Sequence, residues 1–507
     1  TIDNSCMLDG TADYLTFTPS GTSTTRTKWT ISIWFKTCAK LSDGETIIWA
    51  GDSGNDYERI RLGDYNSSGY GAIIYDFGVG GVTQSNYTTD RLLRDPSAWY
   101  HLVASRDGAT ISMYLNGVAI TSWNTSSAPD ASDDGFFGHT VAQRLGRTNY
   151  TNADFFNGYQ AEAILILETI YTASDFGEFN SDGVWIPVDP SALTFGTNGF
   201  WLDFEDSSDL GKDVSGNAND FTSVSMSASN QTLDTPTDSG TTIGNLATWN
   251  PLDIQGTTWG VRALSNGNTV YTTSSGSSYA LGNIGMQSGK FYWRVQATTF
   301  QGSGYPAIGV VNQNAPLYDG GWIGGNTNAW CILTEGASNT GKTRTNGTTS
   351  ASSLFTVSAG DYIDIALDVD NLKMWFGLNG TFDGDPAAGT GEAFTVNGTS
   401  FFASAATATT SVATIDCEGG TPPAGFSRYG TMGIAAPTIT KPTDQFLPIL
   451  YEGNGAGQRV GDFIPFTDTF AVGNSCMFDG ASSQYLSIVK GNLTTPTGGT
   501  TNGNQKF

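Results

Sequence analysis

The chain has 507 residues, a length that at about 150 residues per domain leaves room for three domains. Asp and Glu number 48 against 23 Lys and Arg, a formal charge of −25 that repels phosphate backbones and lipid head groups, so neither nucleic acid nor membrane insertion is expected. With 14% charged residues, 12% aromatics and 13 tryptophans the chain is no disordered acidic tail, and it has no apolar run of the length that crosses a bilayer as a helix.

The start, Thr1-Ile2-Asp3-Asn4, has no basic region, no apolar leader and no Met, so the sequence reads as processed or as a piece of something longer. Helical periodicity is almost absent. Trp29-Thr30-Ile31-Ser32-Ile33-Trp34-Phe35 alternates as a strand with one buried face. Thr110-Ile111-Ser112-Met113-Tyr114-Leu115 does the same, and Asn116-Gly117 supplies the positive φ of a hairpin turn. Only residues 173–179 invite a helical turn. Many short strands between turns predict an all-β protein of tandem antiparallel β-sandwiches or jelly rolls.

Composition divides the chain. Pro187 and Pro190 close a first block at 190. A polar connecting segment follows at 191–248, then a second β-rich block at 249–418. A Pro-rich, stiff connector is expected at 419–471, where Pro422, Pro423, Pro437, Pro442, Pro448 and Pro465 fall. The last segment, 472–507, repeats the beginning: Asn4-Ser5-Cys6-Met7-Leu8-Asp9-Gly10 returns as Asn474-Ser475-Cys476-Met477-Phe478-Asp479-Gly480. It reads as the opening strands of a second, incomplete copy of the first domain.

The first block resembles a LamG-like jelly roll of the concanavalin A-like superfamily. Met7-Leu8-Asp9-Gly10, Trp99-Tyr100-His101-Leu102-Val103-Ala104, Tyr114-Leu115-Asn116-Gly117 and Phe156-Asn157-Gly158-Tyr159-Gln160-Ala161-Glu162 carry the likeness, in the family's order. It implies two curved antiparallel sheets with ligand or calcium sites in edge loops. The second block resembles a SPRY domain, through Gly289-Lys290-Phe291-Tyr292-Trp293-Arg294-Val295, Ala307-Ile308-Gly309-Val310-Val311 and the hairpin strand Lys373-Met374-Trp375-Phe376-Gly377-Leu378-Asn379-Gly380. That family's loops bind proteins and, more rarely, other ligands. The stretch 196–204 with Asp213-Val214-Ser215-Gly216-Asn217-Ala218-Asn219-Asp220-Phe221, and Pro442-Thr443-Asp444 with Leu450-Tyr451-Glu452-Gly453-Asn454-Gly455, are similar to parts of structural proteins of tailed phages, marine ones especially. This implies a virion appendage, a fibre or decoration.

Catalytic patterns are thin. A retaining glycosidase needs two carboxyl groups about 5 Å apart. Glu162 and Glu168 are six positions apart, about 20 Å along a strand. Asp364 and Asp368 have the wrong residue type and spacing. His101 and His139, the only histidines, have no nucleophile turn nearby. No enzyme is expected. Asp52, Asn55 and Asp56 share a loop and offer oxygen ligands for calcium. Asp203, Glu205, Asp206, Asp209 and Asp213 form a denser acidic stretch that also suits Asx-turns. Sugar binding needs aromatic faces beside planar polar groups. Tyr65, Asn66 and Tyr70 offer that set, as do Tyr318, Asp319, Trp322 and Asn326, whereas Trp330 reads as core. The five cysteines are too scattered for a disulfide framework; Cys331 and Cys417 could lie on adjacent strands and read as buried free thiols. The expected role is a non-enzymatic appendage on the virion surface, or extracellular, binding host-surface polysaccharide. Its other partners would be virion proteins or copies of itself. The alternatives are a purely structural subunit joined by strand exchange, or a bacterial adhesin.

Overall fold

Period-two alternation buries one side of each strand, and two such sides must meet to exclude water. The computed structural model describes residues 1–38, 44–64, 71–149, 154–181, 183–240, 242–253, 262–273, 278–299, 306–315, 323–334, 340–407 and 412–430, with two short strands beyond them. Among these residues there is no α-helix; the only helical turns are 3₁₀ turns at Ala173–Asp175, Ala228–Asn230 and Pro251–Asp253. The first of these falls where a helical turn is expected from the sequence. The protein is all-β, two antiparallel sandwiches in series.

The strands of the first sandwich are β1 (Ser5–Asp9), β2 (Tyr14–Phe17), β3 (Lys28–Thr37), β4 (Glu45–Gly51), β5 (Tyr57–Asp64), β6 (Gly71–Val79), β7 (Val82–Leu93), β8 (Tyr100–Asp107), β9 (Thr110–Leu115), β10 (Val118–Ala119), β11 (Trp123–Ser127), β12 (Ala142–Leu145), β13 (Asn157–Leu167), β14 (Gly177–Phe179), β15 (Trp185–Pro187), β16 (Phe200–Leu202), β17 (Thr222–Val224) and β18 (Gln231–Thr232). One sheet runs β10-β9-β8-β3-β13-β1-β18, with β16 also on β13; the other runs β11-β7-β6-β5-β4-β12-β2-β17. The β9–β10 turn holds Asn116 at φ 49° and Gly117 at φ 78°, as its Asn-Gly step requires. Between the sheets lie Trp29, Phe35, Ile48, Ile60, Tyr75, Leu102 and Leu165. Glu58 is buried among them. It accepts hydrogen bonds from Trp29 Nε1 and Tyr75 Oη, both at 2.9 Å, and from the Phe136 and Phe137 amides at 2.7 and 3.1 Å. A lone carboxylate there would cost several kcal/mol; four donors offset that penalty.

The segment 191–248, expected to be a polar connector, does more than connect. β16 pairs with β13, β17 with β2 and β18 with β1, so this segment extends both sheets of the first sandwich. Three-residue strands leave no alternation to detect among Ser, Thr and Asn. From Leu246 onward the chain enters the second core.

In the second sandwich, one sheet orders Arg262–Ser265, Val270–Thr273, Val412–Asp416, Lys290–Thr299, Tyr362–Asp368, Lys373–Leu378 and Thr381–Phe382. The other orders Ser278–Leu281, Phe401–Thr407, Ala307–Asn312, Ala329–Leu333, Lys342–Thr345 and Thr348–Ser353. Trp249, Trp293, Trp330 and Tyr429 fill the space between. The block extends past 418: Ser427–Arg428 pairs in parallel with the Lys290–Thr299 strand, and Tyr429 is fully buried. The first residues expected in the Pro-rich connector therefore close this sandwich.

Polar contacts join the two sandwiches. Lys36, fully buried, donates to Asp234 Oδ2 at 2.7 Å, Asn245 Oδ1 at 2.9 Å and the Leu246 carbonyl at 2.9 Å. Tyr159 Oη donates to the Gly267 carbonyl at 3.0 Å, and Asn245 Nδ2 to the Ser97 carbonyl at 2.7 Å. Residues 437–507 form a separate unit, in which Ile488–Val489 pairs with Asn492–Leu493. The repeated motif at 474–480 lies outside the described residues.

Candidate functional site

The outward face of the β8-β3-β13 region is covered by chain beyond β13. Ile164, Ile166, Ala173, Phe176 and Phe195 pack there in one cluster, and Ile2, Trp34 and Ala161 in another. Two titratable groups are enclosed on this face, with opposite outcomes.

His101 on β8 is fully buried. Its ring stacks on Trp34 at 4.5 Å, with Trp185 on β15 at 6.0 Å. Trp185 Nε1 donates to His101 Nδ1 at 2.9 Å, so Nδ1 carries no proton. The neutral ring then holds its proton on Nε2 and donates to Ser32 Oγ at 2.8 Å. Burial pushes the His101 pKa down to about 3. This pairing resembles a nucleophile and its base but runs the wrong way: a base must accept the serine proton, and His101 donates to it.

Glu162 on β13 occupies a bulge. Ala161 faces Trp34 and Ile164 faces Ser32, so β13 spends one residue more than β3 over this span. Glu162 takes φ 48°, and the extra residue turns it to the outer face. Before the bulge, Gln160 points inward and bonds the Ile47 carbonyl at 3.2 Å; after it, Ala163 is in the core. The far edge of β13 is also divided here: β1 pairs with residues 157–160 and β16 with 163–165. Glu162 sits at the gap. Trp201 Nε1 on β16 donates to its Oε2. Burial, with Asp203 and Glu205 nearby, raises the Glu162 pKa to about 8.

Around Glu162 is a cavity of about 320 Å³, at the lower end of ligand-binding cavities. Ser32, Trp34, Trp201, Asp189, Asp203 and Glu205 line it with Glu162. Trp201 is half-buried and lies parallel to Phe195 at 6.1 Å, which holds its indole in place. An aromatic face beside carboxylate acceptors can hold a sugar ring. Glu168 is on the surface and accepts from Thr24 Oγ1 at 2.8 Å, away from Glu162's partner. Asp364 accepts from Tyr292 Oη and the Gly380 amide, both at 2.6 Å, and Asp368 pairs with Lys290 at 2.9 Å. Both are structural.

The loop expected to hold calcium is built as a turn. Asp56 Oδ1 accepts from the Gly80 amide at 2.8 Å and Oδ2 from Ser53 Oγ at 3.3 Å. The Asp52 side chain is exposed, and Asn55 accepts through its carbonyl from the Gly81 amide at 3.0 Å. These oxygens hold the turn together by accepting from N–H and O–H groups. Among the described residues no group of three His, Cys, Asp or Glu could hold a metal. Asp213 likewise accepts from the amides of Trp201, Ser215 and Asn219 at 2.8–2.9 Å, as an Asx-turn residue would.

Tyr65, Asn66, Tyr70, Tyr318, Asp319 and Trp322 lie outside the described residues. Asn326 accepts from the Asn328 amide at 2.8 Å and braces its own loop. Trp330 is in the second core at 3% exposure. Cys6, Cys38, Cys331 and Cys417 are buried free thiols. Trp34, Trp201 and Asp189 were not singled out from the sequence. The usable signal was Trp201 directly preceding the acidic stretch at 203–213.

Residues 9–164 match the family model of the concanavalin A-like lectin/glucanases superfamily, and residues 290–414 match that of the SPRY domain. Both resemblances read from the sequence are thus found, and the pair of domains fits a binding or adhesion role. Among solved structures, the SPRY domain of human HERC1 is similar at 21% identity, over 31% of this chain and 91% of that one, with a TM-score of 0.25. A proposed carbohydrate-binding protein from Bacteroides ovatus ATCC 8483 is similar at 19% identity, over 44% of this chain and 59% of that one, with a TM-score of 0.29. The TRIM65 PSpry domain is similar at 16% identity, over 34% of this chain and 91% of that one, with a TM-score of 0.25. No curated protein matches at the level of sequence.

Proposed function

We propose that the chain is a non-enzymatic appendage protein of a phage virion that attaches to host-surface glycans through its first sandwich. The observation that carries the glycan part is the cavity at Glu162, with the Trp201 indole and several carboxylates around one open cleft. The superfamily match over residues 9–164 supports it. The virion part rests on the sequence likeness of 196–204, 213–219 and 450–455 to tailed-phage structural proteins. The excess of acidic residues keeps such a surface soluble and is screened in salt.

The test is retention of the purified chain on surface polysaccharides from a panel of marine bacteria. Trp201→Ala should abolish retention without loss of folding. Tyr65→Ala, Tyr70→Ala and Trp322→Ala separate the cavity from the two loops: if only these lose retention, the glycan site is in the loops.

A second reading, a subunit assembled by strand exchange, has one observation in its favour. β1 is an interior strand between β13 and β18, with Cys6 and Leu8 in the core. Cys476 and Phe478 repeat that apolar pattern. A peptide of residues 474–486 that displaces β1, read as a change in the hydrogen exchange of β13, would favour it.

A further inference from the structure

The cavity at Glu162 has a charge pattern that a neutral sugar does not need. Glu162, Asp189, Asp203 and Glu205 all line it, against one basic group, the Thr1 α-amino group. Among the described residues none of the four forms an ion pair. The neighbouring cation Lys212 is turned to Asp206, at 3.5 Å. The four are also too dispersed for a metal ion, since no group of three carboxylates in the described residues is spaced to hold one. What remains is a positive group carried on an organic body large enough to reach Trp201.

Glu162 itself is the second observation. Its Oε2 accepts from Trp201 Nε1, the one hydrogen bond to this carboxyl group among the described residues, so Oε1 is left open to the cavity. An ammonium group supplies several donors and a compensating charge. The aromatic face beside it attracts the same cation, by cation–π contact.

We propose that this cavity selects a saccharide bearing a protonated amine, an amino sugar without N-acetylation, whose ammonium group is held by Glu162 and Asp203 against the Trp201 face. This rests on the reading that the cavity binds glycan. Ser32, Trp34, Glu162 and Ile164 come from the part matched by the superfamily model, but Phe176, Asp189, Trp201, Asp203 and Glu205 lie beyond its end at 164.

Protons follow from the charges. Facing Glu162 are Asp203 and Glu205 after β16, Asp189 after β15, and the Thr1 α-amino group ahead of β1. With its pKa at about 8, free Glu162 is largely protonated at pH 7. An arriving ammonium group favours the carboxylate, so binding of the already protonated amine, at a pH low enough to keep it so, releases a proton from Glu162 to the buffer.

The experiment is calorimetric titration of the full chain with three oligomers of equal length: glucosamine with free amines, its N-acetylated form, and glucose. The free-amine oligomer should bind about tenfold or more tighter than either, the scale of one charge-assisted contact. In buffers of different ionisation heat its binding should release a proton. Glu162→Gln and Asp203→Asn should each erase that preference, while Asp90→Asn, the same charge change on the exposed surface, should leave it. If Trp201→Ala fails to fold, Trp201→Phe keeps the ring beside Phe195 and removes the indole donor.

Equal affinity for all three oligomers, lost in the Trp201 variant, overturns the amine preference and leaves the glycan reading intact. An amine preference that Asp90→Asn weakens as much as Glu162→Gln does is attraction to net charge, and also overturns it. If no oligomer binds but bacterial polysaccharide still does, the amine inference falls alone. If neither binds, both fall.

Discussion

His101 and Glu162 lie on the same outer face of one sheet, separated by β3. His101 is fully buried and Glu162 partly so, and in both desolvation disfavours the charged form. Yet His101 has Trp185 on one nitrogen and Ser32 on the other, while Glu162 has a single indole and a cavity. A titratable group inside a protein says little about function until its partners are counted. A complete set of partners makes a structural histidine; an incomplete set beside open space makes a binding group.

Removing the lid from the satisfied group should have the largest effect. Trp185→Ala strips His101 of its Nδ1 donor and one ring neighbour, and should cost about 3 kcal/mol, read by urea denaturation. His101 should then titrate well above its pKa of about 3, observable by NMR.

The next effect is a pair of opposite pH slopes. His101 is neutral in the fold down to about pH 3 but takes a proton near 6.5 when unfolded. The unfolded chain therefore binds more protons in that window, and stability rises with pH across it. Glu162 has the reverse sign: its folded pKa is about 8 against 4.5 unfolded. Its protonated form stabilises the fold fully below 4.5, and that contribution is lost as pH climbs to about 8. Glu45 at about 8 and Glu418 at about 7 add to the same slope. His101→Asn should flatten the acid limb of a plot of Tm against pH, and Glu162→Gln should lessen the alkaline fall. If Glu162→Gln leaves the alkaline limb unchanged, Glu162 is more solvated than its surroundings imply.

Ser32→Ala should be smaller, about 1 kcal/mol for one buried hydrogen bond, with no change in polysaccharide retention. Any loss of retention would mean that Ser32 touches the ligand. Smallest of all is calcium. Because Asp56 already accepts from Gly80 and Ser53, adding calcium or a chelator should shift Tm by no more than its measurement error. A rise of several degrees with calcium would reinstate the 52–56 loop as a metal site.

The sandwiches were legible in the sequence where strands are long enough to alternate. Residues 29–35 and 110–115 announce their faces, and Asn116-Gly117 names its own turn. Residues 200–202, 222–224 and 231–232 do not, because three residues give no period and polar neighbours mask the buried ones. The site was harder to read. Ala161-Glu162-Ala163 looks like uninterrupted strand, and only the pairing with Trp34 and Ser32 reveals the extra residue. Trp34 and Trp201 are far apart in sequence and meet because β16 takes up the edge of β13 that β1 leaves open. Tyr65, Tyr70 and Trp322 rest on aromatic faces beside polar groups in Gly-containing loops, and they remain proposals.

That divided edge has a consequence for how such a protein changes over generations. The floor of the cavity belongs to strands whose other faces form the core, so substitutions there are constrained by folding. Its wall, from Asp189 to Glu205, is attached to the sheet through the three-residue strand β16. A lineage could recast that wall, exchanging carboxylates for amides or cations, with little disturbance to the sandwich beneath. Attachment to a new surface and retention of the fold would then evolve on nearly separate residues.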